Sequence, residues 1–142
     1  MPAQQYRVLR GHMAKKEPAF TMAWLNEHTE GNIRLQGLSS AMSIWLQNDI
    51  PAAIDWVKGV ENKSEVSRIL SDSFWSLTYY APNEAMNLIQ DIGEKHIDYW
   101  MVGQSLEKIA DLDMNRALLM TESFKSSELR NISLQRVLNK WA

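Results

Sequence analysis

The sequence predicts an all-α fold, an α-solenoid of about four antiparallel helix-hairpin repeats, on three observations. The first is a period of 32 residues that keeps phase along most of the chain. Leu38, Leu70, Val102 and Leu134 share one column, Met42, Phe74, Leu106 and Leu138 a second, and Trp45, Leu77, Ile109 and Trp141 a third. Self-similarity at such a period marks stacked repeats, because so short a unit cannot bury its apolar face alone. The second is helical spacing inside each period: positions 38, 41, 42 and 45 form an i, i+3, i+4, i+7 stripe, and so do 53, 56, 57 and 60. The third is the placing of caps and prolines at the joints between these stripes.

The elements follow in order. Tyr6, Leu9 and Met13 align with Leu38, Ala41 and Trp45, while Arg10 stands where the second column is otherwise apolar, as expected of a polar capping repeat. A competing reading takes Gly11-His12-Met13 as a cloning scar and residues 1–13 as vector-derived. Residues 18–28 read as the second helix of that first hairpin and carry Trp24 and Leu25. A long helix is predicted over 33–47 and a shorter one over 50–60, opened by Asp49 and Pro51. Later long helices fall at 64–79, 96–110 and 127–141, and later short ones at 82–92, behind Pro82, and 114–124, behind Asp113. Short polar connections lie at Glu61-Asn62-Lys63-Ser64, Gly93-Glu94-Lys95 and Lys125-Ser126-Ser127. The repeats thus run 1–31, 32–63, 64–95 and 96–125, with a terminal helix over 126–142, all in a single domain spanning 1–142. A column of small residues, Ala41, Ser73 and Ser105, predicts close approach between helices; Val137 closes it.

This pattern resembles the α-solenoid superfamily of helical-hairpin repeats, the tetratricopeptide and HEAT-like group, over essentially the whole chain. The phrases Trp45-Leu-Gln-Asn-Asp-Ile-Pro-Ala-Ala-Ile-Asp-Trp56 and Tyr80-Ala-Pro-Asn-Glu-Ala-Met-Asn-Leu88 carry the likeness. The unit departs from tetratricopeptide repeats in its length, in lacking a recurrent Leu-Gly pair and in a proline that opens the second helix. The architecture is therefore what the resemblance covers. It implies a right-handed superhelix acting as a scaffold or adaptor, with no chemistry of its own.

Composition narrows the function classes. Of 142 residues, 45% are hydrophobic and 23% charged, ordinary for a folded domain. The formal net charge of −2 gives no basic excess to drive phosphate binding. The absence of cysteine removes disulfides and thiolate metal sites. No apolar run approaches the roughly 18–20 residues of a membrane span, and no signal peptide opens the chain. A soluble protein is expected, with the cytoplasm the favoured compartment.

Few strings carry chemistry. Asp111-Leu-Asp113-Met-Asn115, with Glu122 at the twelfth place, mimics calcium-loop spacing, but Arg116 stands where that loop needs glycine and the repeat phase makes 114–124 helical. A capped interhelical turn accounts for it better, and no metal or cofactor is expected. His28 aligns with Val60, Ile92 and Phe124, which predicts a half-buried helix end, and His96 has no second ligand at metal spacing. Asn62-Lys-Ser64 and Asn131-Ile-Ser133 match the glycosylation pattern, the second inside a helix. No nucleophile elbow, paired-histidine zinc motif or phosphate loop is present, so no enzyme is expected.

The residues that break the columns point elsewhere. Trp75, Tyr79 and Trp100 stand on the otherwise polar face of the long helices, with Arg68, Asp72, Glu107 and Asp111 on the same face. Four of the six tryptophans, Trp24, Trp45, Trp56 and Trp141, belong to core columns; Trp75 and Trp100 do not. Aromatics and arginine dominate interface energetics. The face therefore reads as a partner-binding surface suited to a ligand with basic and apolar residues. The alternative is that both tryptophans pack over a neighbouring helix. In the terminal helix Leu134, Leu138 and Trp141 keep the apolar columns with no following short helix to cover them. This predicts either excision from a longer repeat protein or self-association, most simply a two-fold homodimer. The expected function is protein–protein interaction with a protein or peptide partner. A nucleic-acid-binding helical repeat is the alternative, and it would need a basic track that the mixed charges of this face do not supply.

Overall fold

The computed structural model describes residues 17–141, so the expectations for Tyr6, Leu9, Arg10, His12 and Met13 lie outside the described residues. These residues form α-helices and two short 3-10 turns, with no strand among them. The sequence reads as one domain; the structure divides into two compact units, one ending at Ser73 and the other beginning at Phe74.

The first unit holds α1 (Pro18–His28), α2 (Gly31–Asn48), α3 (Ile50–Lys58), a 3-10 turn (Lys63–Glu65) and α4 (Val66–Leu70). Proline opens α1 and α3, where the missing N–H costs no hydrogen bond. Asp49 caps α3, its carboxylate accepting from the Ala52 N–H at 3.2 Å. The core joins Met22 and Leu25 of α1 to Leu38, Met42 and Trp45 of α2, Ala53 and Val57 of α3, and Val66, Ile69 and Leu70. Helices α2 and α4 run parallel, since Arg34 meets Glu65 and Ser39 meets Ser71, the two hydroxyls 3.3 Å apart.

The second unit holds α5 (Phe74–Tyr80), α6 (Pro82–Ile92), a 3-10 turn (Glu94–His96), α7 (Tyr99–Leu112), α8 (Met114–Glu122) and α9 (Ser127–Leu138). Gly93 ends α6 with φ at +100°, a conformation that favours glycine because side chains there are strained. Asp98, Asp113 and Ser126 cap α7, α8 and α9, accepting from the N–H groups of Trp100, Arg116 and Leu129. The core is Phe74, Leu77, Ala85, Leu88, Ile89, Ile92, Ile97, Val102, Leu106, Ile109, Ala117, Met120, Phe124, Leu129 and Val137. One carboxylate ties successive connections together: Glu94 accepts from the N–H groups of Lys125 at 2.8 Å and Ser126 at 2.7 Å.

Three expectations need correction. The long helix predicted over 64–79 is interrupted at Ser71–Ser73. There the Ser71 hydroxyl donates to the Arg68 carbonyl at 2.8 Å and the Ser73 N–H bonds back to Leu70 at 3.1 Å. Serine and aspartate compete in this way for backbone groups that a helix would use. The tryptophan columns also differ: Trp45 is buried, but Trp24 and Trp56 are half-buried. Finally His28 is exposed rather than half-buried; its ring stacks on Trp24 at 4.6 Å.

Candidate functional site

The non-column residues of the second unit fall into three groups: Trp75 with Lys108, Tyr79 with Arg116, and Trp100 with Arg136, Glu107, Lys140 and Asp111. Helix α5 presents Trp75 and Tyr79, α7 presents Trp100, Glu107 and Asp111, and each meets a cation from an element about one repeat later. The Lys108 ammonium lies 4.4 Å from the centre of the Trp75 ring. Arg116 sits 5.1 Å from the Tyr79 ring and donates to the Tyr79 carbonyl at 2.9 Å. Arg136 of α9 lies 4.3 Å from the Trp100 ring. These distances are within cation–π range, where the ring's negative face attracts the cation.

The acidic part of the face is answered from within the unit. Arg136 Nε donates to Glu107 Oε2 at 2.8 Å, and its Nη2 reaches the same oxygen at 2.8 Å. Lys140 Nζ stands 3.3 Å from Asp111 and 3.7 Å from Glu107. The expectation that Glu107 and Asp111 favour a basic ligand therefore needs correction, because two side chains of the same unit already balance them. Arg136 thus stacks on Trp100 and bonds Glu107 at once. Gly103 makes room for this: a Cβ there would lie 3.2 Å from Arg136 Cγ.

The three aromatics are not equivalent. Trp75 and Tyr79 are half-buried, so the packing alternative describes them well. Trp100 stays 62% exposed with Arg136 on one of its faces. Tyr80, beside Tyr79 in an edge-to-face contact at 5.0 Å, is 73% exposed. It was not among the residues expected to bind. Nor were Lys108, Arg116, Arg136 and Lys140, although pairing each aromatic with the cation 33 to 37 residues later would have found three of the four.

Arg68 and Asp72 belong to the first unit. Arg68 reaches the Asn32 side chain at 3.4 Å, and Arg68 and Asp72 line a polar groove of about 440 Å3 with Gln36, Ser39 and Ser71. On α9, Leu129, Ser133 and Val137 turn inward, while Leu134 and Leu138 are 37% and 38% exposed; the helix expected over 127–141 ends at Leu138, and Trp141 stands beyond it in a turn, 65% exposed. The calcium-like string is a cap: Asp113 accepts from the Arg116 N–H at 3.1 Å and Asp111 pairs with Lys140. His96 is exposed in the second 3-10 turn. No group of three metal-ligating side chains gathers among the described residues. None of the described helices is long and apolar enough to cross a membrane.

Glu94, which lies outside this face, has a shifted pKa. Burial pushes it up. Hydrogen bonds from the Gln90 amide and the Lys125 and Ser126 N–H groups, with the charge of Lys125, together outweigh that and hold it below the usual glutamate range. Compared with known proteins, the chain matches no family model, no curated protein and no solved structure.

Proposed function

We propose that the chain is a protein–protein interaction module built from helical-hairpin repeats, which binds an apolar or aromatic segment of a protein or peptide at Trp100. Side-chain contacts at sequence separations of 31, 32 and 36 in the first unit and 29, 31, 32 and 37 in the second support the repeat reading. The observation that carries the function is the state of Trp100, exposed yet held by Arg136, which Glu107 anchors in turn. A large side chain already fixed in orientation loses little entropy on binding, which is how interface hot spots gain strength.

The test is a displayed peptide library panned on the full chain and on Trp100→Ala. Peptides with an apolar or aromatic residue should bind the parent and lose about 30-fold on Trp100→Ala, the equivalent of a hot spot of about 2 kcal/mol. Recovery of no peptide, or of peptides indifferent to the substitution, sinks the assignment to Trp100. The exposed stripe of Leu134, Leu138 and Trp141 supplies a second apolar surface, and two copies meeting there belong to the same proposal. Three side chains fall short of the roughly 800 Å2 per partner of a stable interface, so that association is weak and concentration-dependent.

A further inference from the structure

The first unit contains an open cavity of about 530 Å3 that the partner face does not use. Its walls include Arg34, Asp55, Trp56, Glu61, Asn62 and Glu65. The repeat explains why it is there. One period on from Glu65 stands Ile97 and two periods on Leu129, 5% and 0% exposed; one and two periods on from Val60 stand Ile92 and Phe124, 6% and 2% exposed. In the second unit, therefore, apolar side chains plug this joint between a short helix and the next long one. In the first unit the joint carries an ion pair, Arg34 with Glu65, and Val60 is only half-buried.

The charges select the ligand. Three carboxylates, Asp55, Glu61 and Glu65, face one guanidinium, Arg34, so the walls are net acidic. Arg34 is already engaged on both sides, by Glu65 and by the Asn26 amide oxygen at 3.0 Å. An anion would have to break those bonds. A cation meets the exposed carboxylates of Asp55 and Glu61 and a half-buried indole whose face attracts positive charge.

We propose that this cavity is a docking pocket for a basic side chain, an arginine or lysine of a partner polypeptide, with Trp56 as its aromatic wall and Asp55 and Glu61 as its charge partners, Glu65 being held by Arg34. The inference rests on the reading of the chain as an interaction module, but on other residues in the other unit. Loss of peptide binding at Trp100 would leave it standing. The guanidinium or ammonium group stacks on the indole and pairs with the carboxylates, and its aliphatic stem covers Val60 and the indole edge.

The test is a titration of the full chain with a hexaarginine peptide, followed by the indole N–H resonance of Trp56, which Trp56→Phe assigns by its disappearance. A saturable shift is expected. Asp55→Asn/Glu61→Gln should weaken it at least about tenfold, as removal of charge partners from a cation site does. Glu84→Gln/Glu122→Gln removes the same charge from exposed positions of the second unit and should leave the affinity within about twofold if the pocket, and not net charge, is responsible. No shift at Trp56, equal weakening by the two double variants, or the same shift with hexaglutamate would overturn the proposal.

Discussion

The two units treat the same repeat position in opposite ways. In the second, Ile97 and Leu129 are buried hydrocarbon; in the first, Glu65, 32 residues before Ile97, is paired with Arg34 at the wall of an open cavity. Residues 32 apart thus share a phase without sharing a fate: Ile97 and Leu129 are buried, Glu65 is ion-paired and half-buried, and Ile33 is exposed. The price of the polar version is low because Arg34 and Glu65 are partly exposed, with side chains 20% and 23% accessible, and they satisfy each other.

The strongest way to break the comparison is to move the first unit's chemistry into the second. Leu129→Glu puts an unpaired carboxylate where exposure is 0% and should cost about 4 kcal/mol or more, read as a collapse of the thermal midpoint. Next in size is Trp45→Ala, expected to cost about 3–5 kcal/mol in denaturant unfolding, as for a fully packed aromatic. Trp56→Ala should cost clearly less, since Trp56 borders a cavity and is half-buried. Equal losses for the two would show that the cavity wall is as tightly packed as the core.

The reverse exchange sharpens the contrast. Arg34→Leu/Glu65→Leu gives the first unit an apolar joint and should leave stability within about 1 kcal/mol of the parent or raise it, because a paired charge often contributes less than packed hydrocarbon. The same variant should abolish the Trp56 response to hexaarginine. The smallest effect is expected at Glu94. Its folded-state pKa is depressed, so its contribution is present above the unfolded glutamate value and is lost as pH falls through the folded one. Glu94→Gln should therefore cost about 1 kcal/mol or less at neutral pH, discounted for solvent screening, and nothing in strong acid. Melting curves of both proteins across the carboxylate titration range should converge at the acid end.

Much of the local fold was legible. Column spacing located most of the helices, and Pro51, Pro82, Asp49 and Asp113 marked helix starts that the structure shows in place. The break at Ser71–Ser73 was not legible, because apolar columns on both sides continue in phase across it while the Ser71 hydroxyl takes a backbone carbonyl. Burial was legible only where something covers the column: Leu38 and Leu134 share a phase, yet one is buried and the other exposed. The aromatics of the candidate site stood out because they broke a pattern. The cations beside them did not, since lysine and arginine on a polar helix face break nothing, and only their distance from an aromatic one repeat earlier identifies them.

Gly103 carries a consequence for how this chain tolerates change. Alanine in its place would favour the α7 helix by roughly 1 kcal/mol, and the only close neighbour it meets is the flexible stem of Arg136. A melting experiment would score Gly103→Ala as neutral or beneficial. Yet the arginine that gives way is the one lying on Trp100 and bonded to Glu107, so the indole would lose its fixed orientation. A selection for heat resistance and a selection for binding would then pull this position in opposite directions, with glycine the outcome of the second.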